Sequence, residues 1–216
     1  MKDLYIVGAG GFGREVLWLV ERINNLEKTW NFKGFIDDNK RLHGSKQGGY
    51  EVIDGCEYFD KITHDVWVVC AVGSAKVKKK IVEELVKKKH VRFATLIDPS
   101  VIISKRVEIG EGSIICAGTI ITVDIKIGKY VIVNINSTVG HDVRVKDYVT
   151  VYPSTNISGN VFVGETVEIG TGVQIIQGKK IGNYSIIGAG AVVVNDIPEM
   201  STAVGCPAKP IKYFNE

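Results

Sequence analysis

The sequence predicts two halves built on different plans: a small α/β unit of Rossmann type, followed by a parallel β-helix of six-residue repeats. Three observations carry this. Strand and helix signals alternate through roughly the first ninety residues, the pattern of a parallel sheet. From Ile97 to Val193 an Ile or Val stands at every sixth position without a miss. Between these stretches the apolar period changes, which divides the chain into residues 1–93, a repeat domain over 94–195 and a capping segment over 196–216.

The elements follow in order. Leu4 to Val7 is a short apolar run ending in glycines, the first strand. Val16, Leu17, Leu19, Val20 and Ile23 fall on one face of a helix. Phe32 to Ile36 reads as a second strand, stopped by Asp37 and Asp38. Val66 to Val72 is continuously apolar, as in a strand covered on both faces, and turns at Gly73 and Ser74. A Lys-rich helix comes next, with Val77, Ile81, Leu85 and Val86 at helical spacing. So small a unit is expected to have fewer strands than a full dinucleotide-binding domain.

In the repeat half a second column, two residues before the first, is often Val: Val101, Val107, Val131, Val143, Val149, Val161, Val167 and Val173. Six residues suit one face of a three-sided coil, a short strand and then a tight turn, and Gly, Asn, Asp and Ser supply the turns. Three hexads close a coil, and successive coils pair as parallel strands. Each stacked Ile or Val, once buried, contributes on the order of 1.5–3 kcal/mol. No hexad is stable alone; stacking neighbours stabilise it. The hexads stop after Asn195, where the cap begins.

Composition excludes several classes of function. The chain has 216 residues, 45% hydrophobic and 24% charged, with a net charge of +3. That charge is too small to make a nucleic acid or a membrane surface the main partner. The run Lys76 to Lys89 includes Glu83 and Glu84 and reads as a solvated helix face. Lys2 and Asp3 lead straight into the first strand without a signal peptide, and no apolar run reaches the roughly 18 residues of a membrane span. Cys56, Cys70, Cys116 and Cys206 are scattered, as in a reducing compartment, so the cytoplasm is expected.

Two motifs carry chemistry. Gly8 to Gly13 satisfies G-x-G-x-x-G between a strand and a helix, where backbone N–H groups can cradle a pyrophosphate. Alone it equally suits an NAD-dependent oxidoreductase, for which Asp37 stands near the usual ribose spacing. His141 is the one histidine of the repeat half, at a turn just after the column residue Val139. Imidazole, with an unperturbed pKa of about 6.5, suits general base catalysis. Asp142 follows it directly, but neighbours in a strand point to opposite faces, so the two meet only if the corner bends one back. A zinc site of the prism-type carbonic anhydrase kind needs several histidines, and no metal is expected. Acyl transfer through Cys116 or Cys206 lacks a histidine beside either in sequence. A purely structural β-helix would require neither His141 nor the terminal motif.

The segments YIVGAGGFGRE, FIDD, NSTVGHD and VGCPAKPI together resemble the hexapeptide-repeat sugar O-/N-acetyltransferases of the sialic-acid and bacillosamine type. That resemblance spans the chain and implies a left-handed β-helix behind a Rossmann-like sugar-nucleotide domain. It implies acetyl-CoA as co-substrate, a nucleotide-linked amino sugar as acceptor, and a homotrimer with its site between adjacent prisms. By the same resemblance His141 is the general base and Asp142 its orienting acid. Gly10, Gly11 and Phe12 would meet the phosphates and sugar, Asp37 and Asp38 the nucleoside, and Ser74 the substrate more weakly. Phe12 stands where the family often has histidine. Asn134 and Asn136 would line the acceptor pocket or serve only as turn residues. Thr150, Gly159, Ala189 and Lys209 would lie along acetyl-CoA, Thr150 replacing a second histidine of some relatives. Whether nitrogen or oxygen accepts the acetyl group stays open at this point.

Overall fold

The structure, a computed structural model, describes residues 1–214; the last two residues of the expected 196–216 segment lie outside them. The chain divides into two compact units, Met1–Gly73 with Val77–Pro99, and Ser74–Lys76 with Ser100–Glu216.

The first unit contains β1 (Lys2–Val7), α1 (Gly11–Leu26), β2 (Trp30–Ile36), β3 (Lys46–Gln47), β4 (Tyr50–Asp54), β5 (Val66–Cys70), α2 (Ala75–Leu85) from Val77 on, and β6 (Val91–Phe93). Its sheet has the order β3-β4-β2-β1-β5-β6. All neighbours are parallel except β3 and β4, which form an antiparallel hairpin. Leu4 and Ile6 of β1, Phe35 and Ile36 of β2, and Val66, Val68 and Val69 of β5 are all buried. That burial follows from helices packing on both faces of a parallel sheet.

Two expectations need correcting here. The sheet has six strands rather than a reduced set, because the β3–β4 hairpin adds two at the edge. That hairpin turns through Gly48 and Gly49 at φ 56° and 85°, and only Val52 of β4 is fully buried, so it shows almost no apolar signature. The buried face of α2 runs through Ala75, Lys78, Val82 and Leu85, whereas Val77 and Val86 are exposed. The face is rotated from the one that the apolar spacing predicts, and it includes Lys78, which is 1% exposed.

The second unit is the β-helix. Strands of two or three residues pair in parallel with those 18 residues away, as in Ile114↔Ile132, Ile132↔Thr150, Thr150↔Glu168 and Glu168↔Ile186. Two further faces repeat this, one through Ile120, Thr138, Asn156, Gln174 and Val192 and one through Lys126, Arg144, Phe162 and Lys180. Both predicted columns point inward. From Ile115 on, every column residue through Val193 is buried, as are Val131, Val143, Val149, Val161, Val167 and Val173. The first coil is the exception: Ile97 and Ile103 are 36% exposed, and Val101, Val107 and Ile109 are only partly buried. Ile103 belongs to the outermost strand of its face and lacks a coil on one side.

The corners explain the six-residue spacing. At each, one residue adopts a left-handed conformation, among them Gly118, Asn136, Asp142, Asn160, Gly172 and Gly190. Glycine and asparagine tolerate that region with little penalty. The coil also continues past Asn195 with a shorter step. Ile197 bridges Ile181 and Ala203 pairs with Ile187, both 16 residues on instead of 18, and both are buried. Two missing residues are why the six-residue reading ends early. The strand Ser201–Val204 then pairs antiparallel with Lys209–Tyr213 to close the end.

Candidate active site

The strand Thr138–Val139 brings the chain to a corner, and His141 and Asp142 form it. Asp142 is left-handed, at φ 62°. In an extended strand its side chain would point away from that of His141; the positive φ turns it back, so that His141 Nδ1 lies 2.8 Å from Asp142 Oδ2. The imidazole is 65% and the carboxylate 55% exposed, so the pair stands on the outer edge of the coil. With Nδ1 hydrogen-bonded to a carboxylate, the neutral ring carries its proton there and leaves Nε2 as the free acceptor.

Gly159, one coil later, lies against that ring. A Cβ at this position would fall 2.5 Å from His141 Cε1 and Nε2. The bare edge expected to admit the coenzyme thus first accommodates the imidazole. The main chain ties the two coils together, as Asn160 N–H donates to the His141 carbonyl at 2.7 Å.

The remaining repeat-half candidates divide into exposed and buried. Ala189 and Lys209 are exposed, Lys209 in the terminal hairpin. Asn136 is also exposed but left-handed, at φ 55°, with its side chain over Gly118. Asn134 is buried, and its Oδ1 accepts the Ile135 N–H at 2.7 Å. Asn136 thus occupies a corner, and Asn134 contacts the adjoining backbone. Thr150 is 1% exposed, so it presents no free surface to a coenzyme in the single chain. Ser74 donates its hydroxyl to Glu168 Oε1 at 3.1 Å, and the Ala75 N–H at the start of α2 donates to the same oxygen at 2.8 Å. Glu168 also accepts from Tyr152, whose hydroxyl pKa is pushed up to about 12, by burial first and then by this carboxylate. Sequence reasoning missed Glu168 because nothing local marks an acid that serves a helix start more than ninety residues away.

In the first unit the Gly-rich loop has an open part and a closed part. Side chains at Gly10 and Gly11 would meet almost nothing, whereas one at Gly13 would run into the Gly8 carbonyl. Gly8 itself has φ 104° and packs on the Ala71 carbonyl. Thus Gly8 and Gly13 shape the turn, while Gly10 and Gly11 offer free N–H groups at the start of α1. Phe12 is half-buried beside them. Asp37 Oδ2 accepts the Ala9 N–H at 2.9 Å and Oδ1 the Asn39 N–H at 2.9 Å, so this carboxylate holds the loop. Asp38 is exposed and accepts the Cys56 N–H at 2.8 Å through Oδ1. Arg14 donates to Gln47 Oε1 at 3.2 Å, a pairing with the β3 hairpin that sequence reasoning also missed. Among the described residues, no group of three or more His, Cys, Asp and Glu side chains gathers to hold a metal ion.

The structure superposes along nearly its whole length on several solved structures. WeeI from Acinetobacter baumannii AYE is 33% identical, with a TM-score of 0.87, over 98% of this chain and 100% of that one. The acetyltransferase domain of PglB from Neisseria gonorrhoeae FA1090 is 30% identical, with a TM-score of 0.87, over 98% of this chain and 100% of that one. The chain belongs to the hexapeptide-repeat sugar N-acetyltransferase family. Other members agree with that assignment. PerB from Caulobacter crescentus, solved with CoA and GDP-perosamine, is 27% identical at a TM-score of 0.85, over 98% of each chain. Residues 3–85 match the family described as the PglD N-terminal domain. The UDP-N-acetylbacillosamine N-acetyltransferase of Bacillus subtilis (strain 168) is 37% identical over 118 residues, 54% of this chain and 52% of that protein. The match thus spans about half the length of that curated relative. Family membership fixes the hand of the coil as left, which the repeat alone does not reveal.

Proposed function

We propose that this protein transfers the acetyl group of acetyl-CoA to the amino group, at C4, of a nucleotide-linked sugar. The observation that carries the reading is the His141–Asp142 pair at 2.8 Å, held on an exposed corner by a left-handed aspartate. The family supports it. The acetyltransferase domain of PglB has been solved with acetyl coenzyme A, PerB with CoA and GDP-perosamine, and the Bacillus subtilis relative is named for an amino-sugar substrate. Those names also favour nitrogen over oxygen as the acceptor.

The chemistry is direct transfer. The amine lone pair attacks the thioester carbonyl while His141 Nε2 takes the proton that the nitrogen loses. Asp142 holds the ring and stabilises the imidazolium. Backbone N–H groups at a coil corner stabilise the oxyanion, and the tetrahedral adduct collapses with loss of the CoA thiolate, which recovers that proton. In this reading the open N–H groups at Gly10 and Gly11 receive the diphosphate, with Phe12 against the sugar. Asp38 meets the nucleoside, and Asp37 keeps the loop in shape. Acetyl-CoA runs past Gly159 and Ala189 towards Lys209, whose ammonium pairs with coenzyme phosphate. We further propose a homotrimer, in which a neighbouring prism closes the exposed side of His141. The reading also places the protein in the cytoplasm. In its favour, all four cysteines are free, and no described helix is long and apolar enough to cross a membrane.

The test is thiol release from acetyl-CoA against UDP-, dTDP- and GDP-linked 4-amino sugars. His141→Ala should lower the rate by about 10²–10⁴ with the best acceptor. Near-normal turnover by that variant ends the proposal.

A further inference from the structure

We infer that Gly159 is a positioning residue for the base, selected to seat the imidazole of His141 and set the direction of Nε2. This rests on the general-base reading above and goes beyond it by giving the glycine a role towards the protein's own side chain.

The observation is a contrast between three polar residues of the coil. Asp147 and Asn183 occupy the same place in the hexad as His141, one residue before a left-handed corner at Tyr148 and Tyr184. Both turn towards the preceding coil. Asp147 Oδ1 accepts the Lys129 N–H at 2.8 Å, and Asn183 Oδ1 accepts the Glu165 N–H at 2.9 Å, each 18 residues back. His141 turns the other way, onto Gly159 in the following coil. Turned upward onto Gly159, the imidazole keeps the 2.8 Å contact to Asp142.

The upward position requires an absent side chain. A Cβ on Gly159 would lie 2.5 Å from Cε1 and Nε2 and 3.0 Å from Cδ2, the whole ring edge that faces away from Asp142. Real carbon atoms do not approach so closely, so the ring must leave. The three atoms nearest to that methyl group all belong to the imidazole, a side chain that can move while the coil stays intact. Gly159 has no left-handed φ that would otherwise demand glycine. The missing side chain therefore serves the ring: the floor fixes its tilt, Asp142 fixes its rotation, and together they aim Nε2.

The test is a double-mutant cycle on the full-length protein. Gly159→Ala should lower kcat by about 10–100-fold, as expected when a proton acceptor is misplaced by about 1 Å. The KM for acetyl-CoA should stay within about twofold, and the limb of the pH–rate profile assigned to His141 should shift or vanish. Introduced into His141→Ala, the same change should add nothing, because the group it acts through is gone. A further loss in that background, or a main effect on the KM for acetyl-CoA, overturns the inference and leaves Gly159 with its place along the coenzyme alone. If His141→Ala alone retains full activity, the general-base reading fails instead. A measurement that needs no variant is the nuclear Overhauser contact between His141 Hε1 and the Gly159 α-protons, in protein labelled at those two residue types. We expect to see it; its absence overturns the inference even if the alanine variant does not fold.

Discussion

Thr166 stands in a left-handed corner at φ 58°, which branched side chains resist, and it is only 4% exposed. Its Oγ1 is the one buried side-chain polar atom without a hydrogen-bond partner among the described residues. Two penalties coincide: the backbone conformation costs about 1–2 kcal/mol and the orphaned hydroxyl about 1–3 kcal/mol. Glycine would remove both, at a loss of about 0.5–1 kcal/mol in chain entropy and a similar amount in buried methyl contact. Thr166→Gly should therefore stabilise the protein by about 1 kcal/mol, raising Tm by roughly 2–4 °C in a scan at fixed protein concentration. A fall in Tm would show that the methyl contact outweighs both penalties. Asp142, at a corner of the same kind, reveals what the conformation can achieve when a polar residue occupies it, because there the positive φ creates the contact to His141.

At the scale of elements, α1 is tied to the chain that follows β6 by a two-pronged ion pair. Arg22 Nε and Nη2 donate to Asp98 at 2.6 and 3.0 Å, and the Asp98 side chain is fully buried. Removing one partner of such a pair costs more than replacing both by apolar groups, which is often tolerated. Arg22→Met alone should thus lower Tm more than Arg22→Met combined with Asp98→Leu, and the reverse order in a thermal melt would contradict that account. Nothing in the sequence marks this pair, because the partners are 76 residues apart. The coil strands were legible for the opposite reason: each repeats the same inward residue at fixed spacing. The β3–β4 edge was not, since a half-exposed hairpin with two glycines has no apolar alternation. Within the candidate site, His141 and Asp142 could be named from their position, but how adjacent side chains meet depended on one φ angle, which composition does not encode. The burial of Thr150 and the engagement of Ser74 by Glu168 are tertiary facts of the same kind.

At the scale of the molecule, the β-helix unit is close to one-dimensional, so the effect of a defect should depend on how many coils flank it. Ile157 is 2% exposed and lies between Val139 in one coil and Ile175 in the next. Ile103 is 36% exposed and pairs only with Ile121, because its strand is the last on its face. The residue type and hexad position are identical, so the difference isolates the contribution of stacking. Ile157→Ala removes contacts on both sides and leaves a cavity that neighbouring coils cannot close without breaking register, at about 2–5 kcal/mol. Ile103→Ala exposes a site already open to water and should cost about 1 kcal/mol or less. In urea unfolding at one protein concentration, the first variant should shift the midpoint strongly and the second slightly, with m unchanged in both. Equal shifts would mean that the column is not held by its nearest neighbours, and the account of why a six-residue period suffices to build this unit would fail with it.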